Sequence, residues 1–279
     1  MLSATVPIPL RAKILSMIGI DIYNCHIIHC PTDRPEISYN VKLFPTLKGA
    51  KERLVKDVKA KLASTKSTSF RGLVFCRSTD DVDKLAEMIG CMPYHAGRPK
   101  DERLASFNDW VDGKHKFMVC SSLMGCGIDV DGVEITYHAG TPWSIQDFAQ
   151  ESGRAGRSGK LSHSYVYAGL DEREPDEGGE DLYGKATMRD WVLQSSVCRR
   201  TALSHVLDNG RTTCTLLVGS ALCDVCLAES LKEHPGQLVP FVTPTVSASD
   251  VPKPRPLPRI PATSLEYETS RSAAVDEIR

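Results

Sequence analysis

Between residues 71 and 167, short apolar runs alternate with segments of helical period, and few folds accommodate that alternation. Arg71-Gly72-Leu73-Val74-Phe75-Cys76 reads as a buried strand. Arg77-Ser78-Thr79-Asp80 follows as a capped turn, after which Val82, Leu85, Ala86 and Ile89 recur at helical spacing. Beyond Tyr94-His95-Ala96-Gly97, a second helix is expected from about Pro99 to Val111, with proline at its first position. Further strands are expected at Phe117–Cys120, Val133–His138 and Ser164–Tyr167, and a helix at Ser144–Gln150. This pattern predicts an α/β fold with a parallel sheet flanked by helices. Ligands of such sheets bind beyond the carboxyl ends of the strands. The loop after Cys120 and the run 150–157 are both expected at that edge.

That run, Gln150-Glu151-Ser152-Gly153-Arg154-Ala155-Gly156-Arg157, carries two arginines one helical turn apart. Arginine has a fixed charge and a planar fork of donors suited to phosphate oxygens. With glycines letting the backbone come close, the pair reads as a clamp on a polyphosphate. The competing reading is a solvated turn with two surface arginines.

Taken in order, Leu73–Ser78, Tyr94–Gly97, Met118–Asp129 and Gln150–Arg157 resemble the second RecA-like lobe of a superfamily 2 helicase of the RecQ-like branch. Leu2-Ser3-Ala4-Thr5-Val6-Pro7 is similar to the motif that ends the first lobe, and Asp33-Arg34-Pro35-Glu36-Ile37 to the segment entering the second. The resemblance implies that Gln150, Arg154 and Arg157 face ATP with Mg2+ held by the first lobe, the arginines stabilising charge on the transferred phosphoryl group. It implies that Gly127 and Asp129 couple that nucleotide to the nucleic-acid track. Arg77, Ser78, Ser121 and Ser122 would touch the backbone of a DNA strand, without reading its sequence. His95 is either a further contact or a packing histidine. Cys120 and Cys126 read as small hydrophobic residues.

A complete motor also needs a triphosphate loop ending in Gly-Lys-Ser/Thr. The chain offers Gly113-Lys114-His115, Gly159-Lys160-Leu161 and Gly184-Lys185-Ala186, none of which fits. The first lobe is therefore expected to be missing or supplied in trans by another polypeptide, and this chain alone is expected not to hydrolyse ATP. DNA-dependent 3′ to 5′ unwinding is what the resemblance implies for the whole motor. The alternative is a non-catalytic nucleic-acid-binding adaptor that kept the lobe and lost the motor; an RNA-directed lobe is a third reading.

Ten cysteines in 279 residues do not make a small disulfide scaffold, and no secretory signal opens the chain. A reducing compartment is expected: the nucleus in a eukaryote, otherwise the cytoplasm. Cys223 and Cys226 form Cys-x-x-Cys, the spacing that presents two thiolates to one tetrahedral ion. Cys198, followed by Arg199-Arg200, is similar to the opening of the zinc-binding subdomain of RecQ-like helicases, which implies a Zn2+ site at Cys198, Cys214, Cys223 and Cys226. Eight residues separate Cys214 from Cys223, a wider gap than the family usually has, so Cys214 is the weakest member. The alternative is a set of ordinary buried cysteines. Cys25, His26, His29 and Cys30 read instead as a strand whose alternation keeps the four from converging.

The organisation expected is an end-of-lobe and linker segment at 1–40, the helicase lobe at 41–170, a small helical zinc-binding subdomain at 171–228 and a disordered Pro-rich tail at 229–279. Residues 171–181 are acidic and read as a solvated loop away from DNA. A net charge of −1 provides no global attraction for nucleic acid, so binding must come from a local patch. No apolar stretch reaches the ~20 residues that span a bilayer.

Overall fold

The computed structural model describes residues 6–21, 23, 25–122, 130, 132–172 and 183–233. In chain order the elements are α1 (Ile8–Met17), β1 (Ile37–Phe44), α2 (Leu47–Ser64), β2 (Arg71–Cys76), α3 (Thr79–Ile89), β3 (Met92–Tyr94), α4 (Lys100–Val111), β4 (Phe117–Cys120), β5 (Val133–Ala139), α5 (Ile145–Ser152), β6 (Ser162–Gly169), α6 (Lys185–Leu193), α7 (Arg199–Asp208) and α8 (Asp224–Glu233). The six strands form one sheet in the order β1-β6-β5-β2-β4-β3, and every pairing is parallel.

Strand alternation divides the core. Val74, Cys76, Ile135, Tyr137, Ala139 and Tyr167 face Leu54 and Val58 of α2 and Val82, Leu85 and Ile89 of α3. On the other face, Leu73 and Phe75 meet Trp110 of α4, while Val166 and Ala168 meet Ile145 and Phe148 of α5 and the helices that follow. Both faces of the parallel sheet are thus covered, as that architecture requires. Side-chain caps start three of these helices: Thr46 accepts from the Gly49 amide, Ser78 from Asp81 and Ser144 from Asp147.

Several details differ from the sequence reading: β3 was not expected, and α8 runs to Glu233, past the start of the tail expected at 229. Pro99 stands one place before α4, as its cap. β1 runs across the boundary expected at residue 40 and pairs along its length with β6, so the segment entering the lobe is already part of the sheet. Residues 25–30 form no strand; they lie at the surface without a strand partner. Asp171 and Glu172, read as part of a solvated loop, cap other segments: Asp171 accepts from the Leu47 amide, and Glu172 from the amides of Gly169 and Thr141. The rest of the acidic run, 173–181, and the tail from 234 lie outside the described residues. Among the described residues, no helix is long and apolar enough to cross a membrane.

Candidate functional site

Because all six strands are parallel, the turns that follow them gather at one rim. Arg77 and Ser78 leave β2, Tyr94–Gly97 leave β3, Ser121 and Ser122 leave β4, and Thr141–Trp143 leave β5. β2, β4 and β3 are adjacent, so Arg77, Ser78, His95, Ser121 and Ser122 are brought together along one edge. They do not all face outward. Ser78 is spent on its helix, accepting from the Asp81 amide at 3.1 Å and donating to its carboxylate at 2.8 Å. His95 is 4% exposed, with Nε2 3.2 Å from Asp83, which also accepts from Arg98 at 2.7 Å. The Arg98 hydrogen bond, more than His95, holds the Asp83 carboxyl below its ordinary range. His95 therefore braces its turn from inside.

The arginine run occupies the opposite rim, contrary to the expectation that it shares the carboxyl edge. α5 follows β5 and packs back along the sheet, so its end returns to where β5 began: the Gly156 amide donates to the carbonyl of Val133, the first residue of β5, at 3.0 Å. The glycines of the run serve this close packing. A Cβ on Gly153 would stand 2.7 Å from the Ala149 oxygen. Gly156 has φ +74°, and a Cβ there would come within 2.6 Å of Glu36. Gln150 and Arg154 are half-buried and Arg157 is exposed.

Arg34, from the segment before β1, fixes this loop. Its Nη1 donates to the Gly153 carbonyl and its Nη2 to the Ala155 carbonyl, both at 2.7 Å, while Nε pairs with Glu36 at 2.5 Å. The backbone of Arg34 is held in turn by Arg200, which is 1% exposed and donates to the carbonyls of Arg34 at 2.9 Å, Ile37 at 2.7 Å and Ala221 at 3.2 Å. Sequence reasoning gave neither residue a role; the double arginine after Cys198 was the one signal pointing to Arg200.

Arg200 belongs to the cysteine group. The ligand atoms of Cys198, Cys214, Cys223 and Cys226 all lie within 4.8 Å of one another, including Cys214 despite its wide spacing. The Cys198 sulfur is 3.6 Å from that of Cys214 and 3.9 Å from that of Cys223. Backbone amides point at three of the sulfurs: Arg199 at Cys223 (3.4 Å), Cys214 at Cys198 (3.3 Å) and Cys223 at Cys214 (3.3 Å). Hydrogen bonds with Cys214 and Cys223 hold the Cys198 thiol well below its ordinary range, while the hydrogen bond with Cys198, then that with Cys223 and burial, push Cys214 up. The group is locked to the lobe by Arg199, which makes two bonds to Asp224 at 2.9 and 3.1 Å, and by Asp224 itself, which accepts from the Val41 amide on the open edge of β1. Cys25, His26, His29 and Cys30 form no such group among the described residues; His29 pairs instead with Asp208 at 3.0 Å.

Gly127 and Asp129 lie outside the described residues.

Fold and motif order are similar to those of the C-terminal, RecA-like lobe of superfamily 2 helicases. Residues 52–159 match the family described as helicase conserved C-terminal domain. The putative ATP-dependent DNA helicase Q1 of Caenorhabditis briggsae is 26% identical over 84% of this chain, the ATP-dependent DNA helicase Q5 of Rattus norvegicus 30% over 52%, and the RecQ-like DNA helicase BLM of Xenopus laevis 32% over 34%. The chain is thus similar to the RecQ-like branch of that superfamily. It spans 38%, 16% and 8% of the lengths of these relatives.

Proposed function

We propose that this chain is the second motor lobe of an ATP-dependent DNA helicase, with a zinc-binding subdomain attached. Its amino rim would act on ATP and its carboxyl rim would carry the DNA strand, with 3′ to 5′ movement as in the RecQ-like family. In a eukaryote it would work in the nucleus. The observation that carries this reading is the arginine loop: Gly153–Arg157 is fixed by Arg34 in the one stretch where the family motif, the glycine sterics and the helix geometry coincide. In that role Arg154 and Arg157 stabilise charge on the transferred phosphoryl group, Gln150 orients the nucleotide, and Asp129 and Gly127 relay its state along 121–132.

The cysteine group fits Zn2+. A tetrahedral site with bonds of about 2.3 Å has sulfur–sulfur edges of about 3.8 Å, close to the 3.6 and 3.9 Å found. Zinc there would supply structure alone, drawing α7 and α8 together through Cys198, Cys214, Cys223 and Cys226. The segments proposed are 1–36 as linker, 37–172 as lobe, 173–233 as zinc subdomain and 234–279 as tail.

The sequence has no loop able to hold the triphosphate, so the chain alone is expected to show negligible ATP hydrolysis; DNA-stimulated turnover in the range of ~1–100 s⁻¹ would overturn that. With a first lobe supplied, on the same polypeptide or in trans, hydrolysis should appear. Arg154→Ala or Arg157→Ala should then lower it by about 10³- to 10⁵-fold. Unchanged turnover in both variants would remove the clamp from the mechanism and favour the adaptor reading.

A further inference from the structure

The recess at the carboxyl ends of β2, β5 and β6 contains a side chain that no role above uses. Trp143, in the turn after β5, is 43% exposed, whereas Trp110 and Trp191, the other two of the chain's three tryptophans, are 1% and 2% exposed. The guanidinium carbon of Arg77 stands 3.7 Å from the centre of the Trp143 ring. Arg77 is held in place by Glu172 at 3.5 Å. Glu172 is itself fixed by the amides of Gly169 at 2.9 Å and Thr141 at 3.0 Å and by the Thr141 hydroxyl at 3.2 Å. The stack is therefore built before any ligand arrives. One indole face lies under the cation, and the residue is still 43% exposed.

A single exposed tryptophan needs no explanation. Trp143 differs because Arg77, Lys185 and Arg189 line the same recess, with Glu172 as the one carboxylate among the described residues there. Lys185 and Arg189 have interactions of their own, and what they add here is positive potential. The recess has a volume of about 30 Å³, enough for a water or a phosphate oxygen and far too small for a base. A ligand that uses both the ring and the cations must lie across the surface and present a flat face to the indole and anions to the recess. A strand of nucleic acid has both at every residue.

We infer that Trp143, backed by Arg77, is a stacking platform for one base of a single-stranded nucleic acid whose phosphates pass Arg77, Lys185 and Arg189. This rests on the reading of the carboxyl rim as the nucleic-acid track. It adds a sequence-tolerant contact to a set of phosphate contacts and extends the track from the end of β2 toward α6.

The test uses the full chain and its own fluorescence. Trp110 and Trp191 are enclosed, so quenching by a strand reports on Trp143. Oligothymidylate and oligouridylate of about 12 nucleotides, within the ~4–16 that single-strand sites cover, are titrated while the anisotropy of a labelled oligonucleotide follows binding separately. Binding should quench the emission. Trp143→Phe should retain affinity within about threefold and lose the quench. Trp143→Ala should weaken binding about 5- to 150-fold, the effect of losing one base stack, and leave the salt slope unchanged because no charge is lost. Lys185→Ala and Arg189→Ala should each make that slope shallower by about 0.7. A quench with either oligonucleotide supports the platform, and the arm that binds identifies the strand. Binding at full affinity by Trp143→Ala, with no quench in the parent chain, overturns the platform and leaves the track intact. Failure of both oligonucleotides to bind overturns the track and the platform together.

Discussion

The carbonyls of Gly153 and Ala155 belong to the turn that ends α5, where helical backbone bonding stops, and one guanidinium serves both. Arg34 is suited to this because its fork is planar and rigid; a lysine offers a point charge in the same volume. Arg34→Ala should cost about 1–3 kcal/mol, the penalty for leaving partly buried groups unsatisfied, and should speed hydrogen exchange at the amides of 154–157. Arg34→Lys should keep the pairing with Glu36 and fail to restore that protection; full restoration by lysine would mean that charge alone matters. None of this was legible in the sequence, because Arg34 meets its partners 119 and 121 residues away and no local pattern marks it. A second buried group nearby sets a pH dependence. Burial, opposed by His138 at 3.2 Å, raises the pKa of Glu151 above its ordinary 4.5. A carboxyl raised in the folded state favours folding while protonated, so its contribution is present below about 4.5 and is lost as pH rises through the folded value. Stability should therefore fall with rising pH across that window in the parent chain and stay flatter in Glu151→Gln, as urea unfolding at a series of pH values can check.

Among the elements, α7 has the most to hold. It follows Cys198 at its cap, buries Arg199 and Arg200 in its first turn, and reaches the segment before β1 through the latter. A cation at the four sulfurs would fix the start of α7 and, by the Arg200 bonds, the backbone that presents Arg34. We expect purified chain to contain one zinc per molecule. Chelation should then raise exchange in α7 and α8 first, and in residues 34–37 and 153–157 with them. In Arg34→Lys, chelation should still loosen 34–37 while the effect on 153–157 shrinks. Metal content well below one per chain, or a clamp indifferent to chelation in the parent, would separate the cysteine group from the loop. The Cys-x-x-Cys spacing made half of this site readable. Cys214 was doubtful on spacing alone, since the approach of Thr213–Ala221 to the other cysteines depends on tertiary bonds such as Ala221 to the Pro35 carbonyl. From 71 to 167 the strands and helices other than β3 were readable because each carries its own period; β3, three residues long, carries none and was not read. β1 and α2 carry periods as well, but the entry segment was divided at residue 40, in the middle of a strand whose partner, β6, lies far along the chain.

For the molecule as a whole, the two rims are the organising fact. Parallel strands send every following turn to one edge, and α5 carries the arginine run back to the other, so the proposed strand-binding and ATP-facing surfaces lie at opposite ends of the same sheet. Substitutions separated in this way, with no shared partner, add to within about 0.3–0.5 kcal/mol. In the chain alone, Arg77→Ala should weaken oligonucleotide binding and leave exchange at 154–157 unchanged. Arg154→Ala should leave oligonucleotide binding unchanged, and the double variant should show the sum of the two. Coupling should emerge when a first lobe and ATP are present, because a nucleotide held against the amino rim can then bias the connection between β4 and β5. The measurement is a double-variant cycle on oligonucleotide affinity, run with and without the first lobe and a non-hydrolysed nucleotide. Coupling of about 1 kcal/mol or more in the chain alone would mean that the sheet itself transmits between the rims; additivity under both conditions would leave the lobe with two independent surfaces and take the motor out of the proposal.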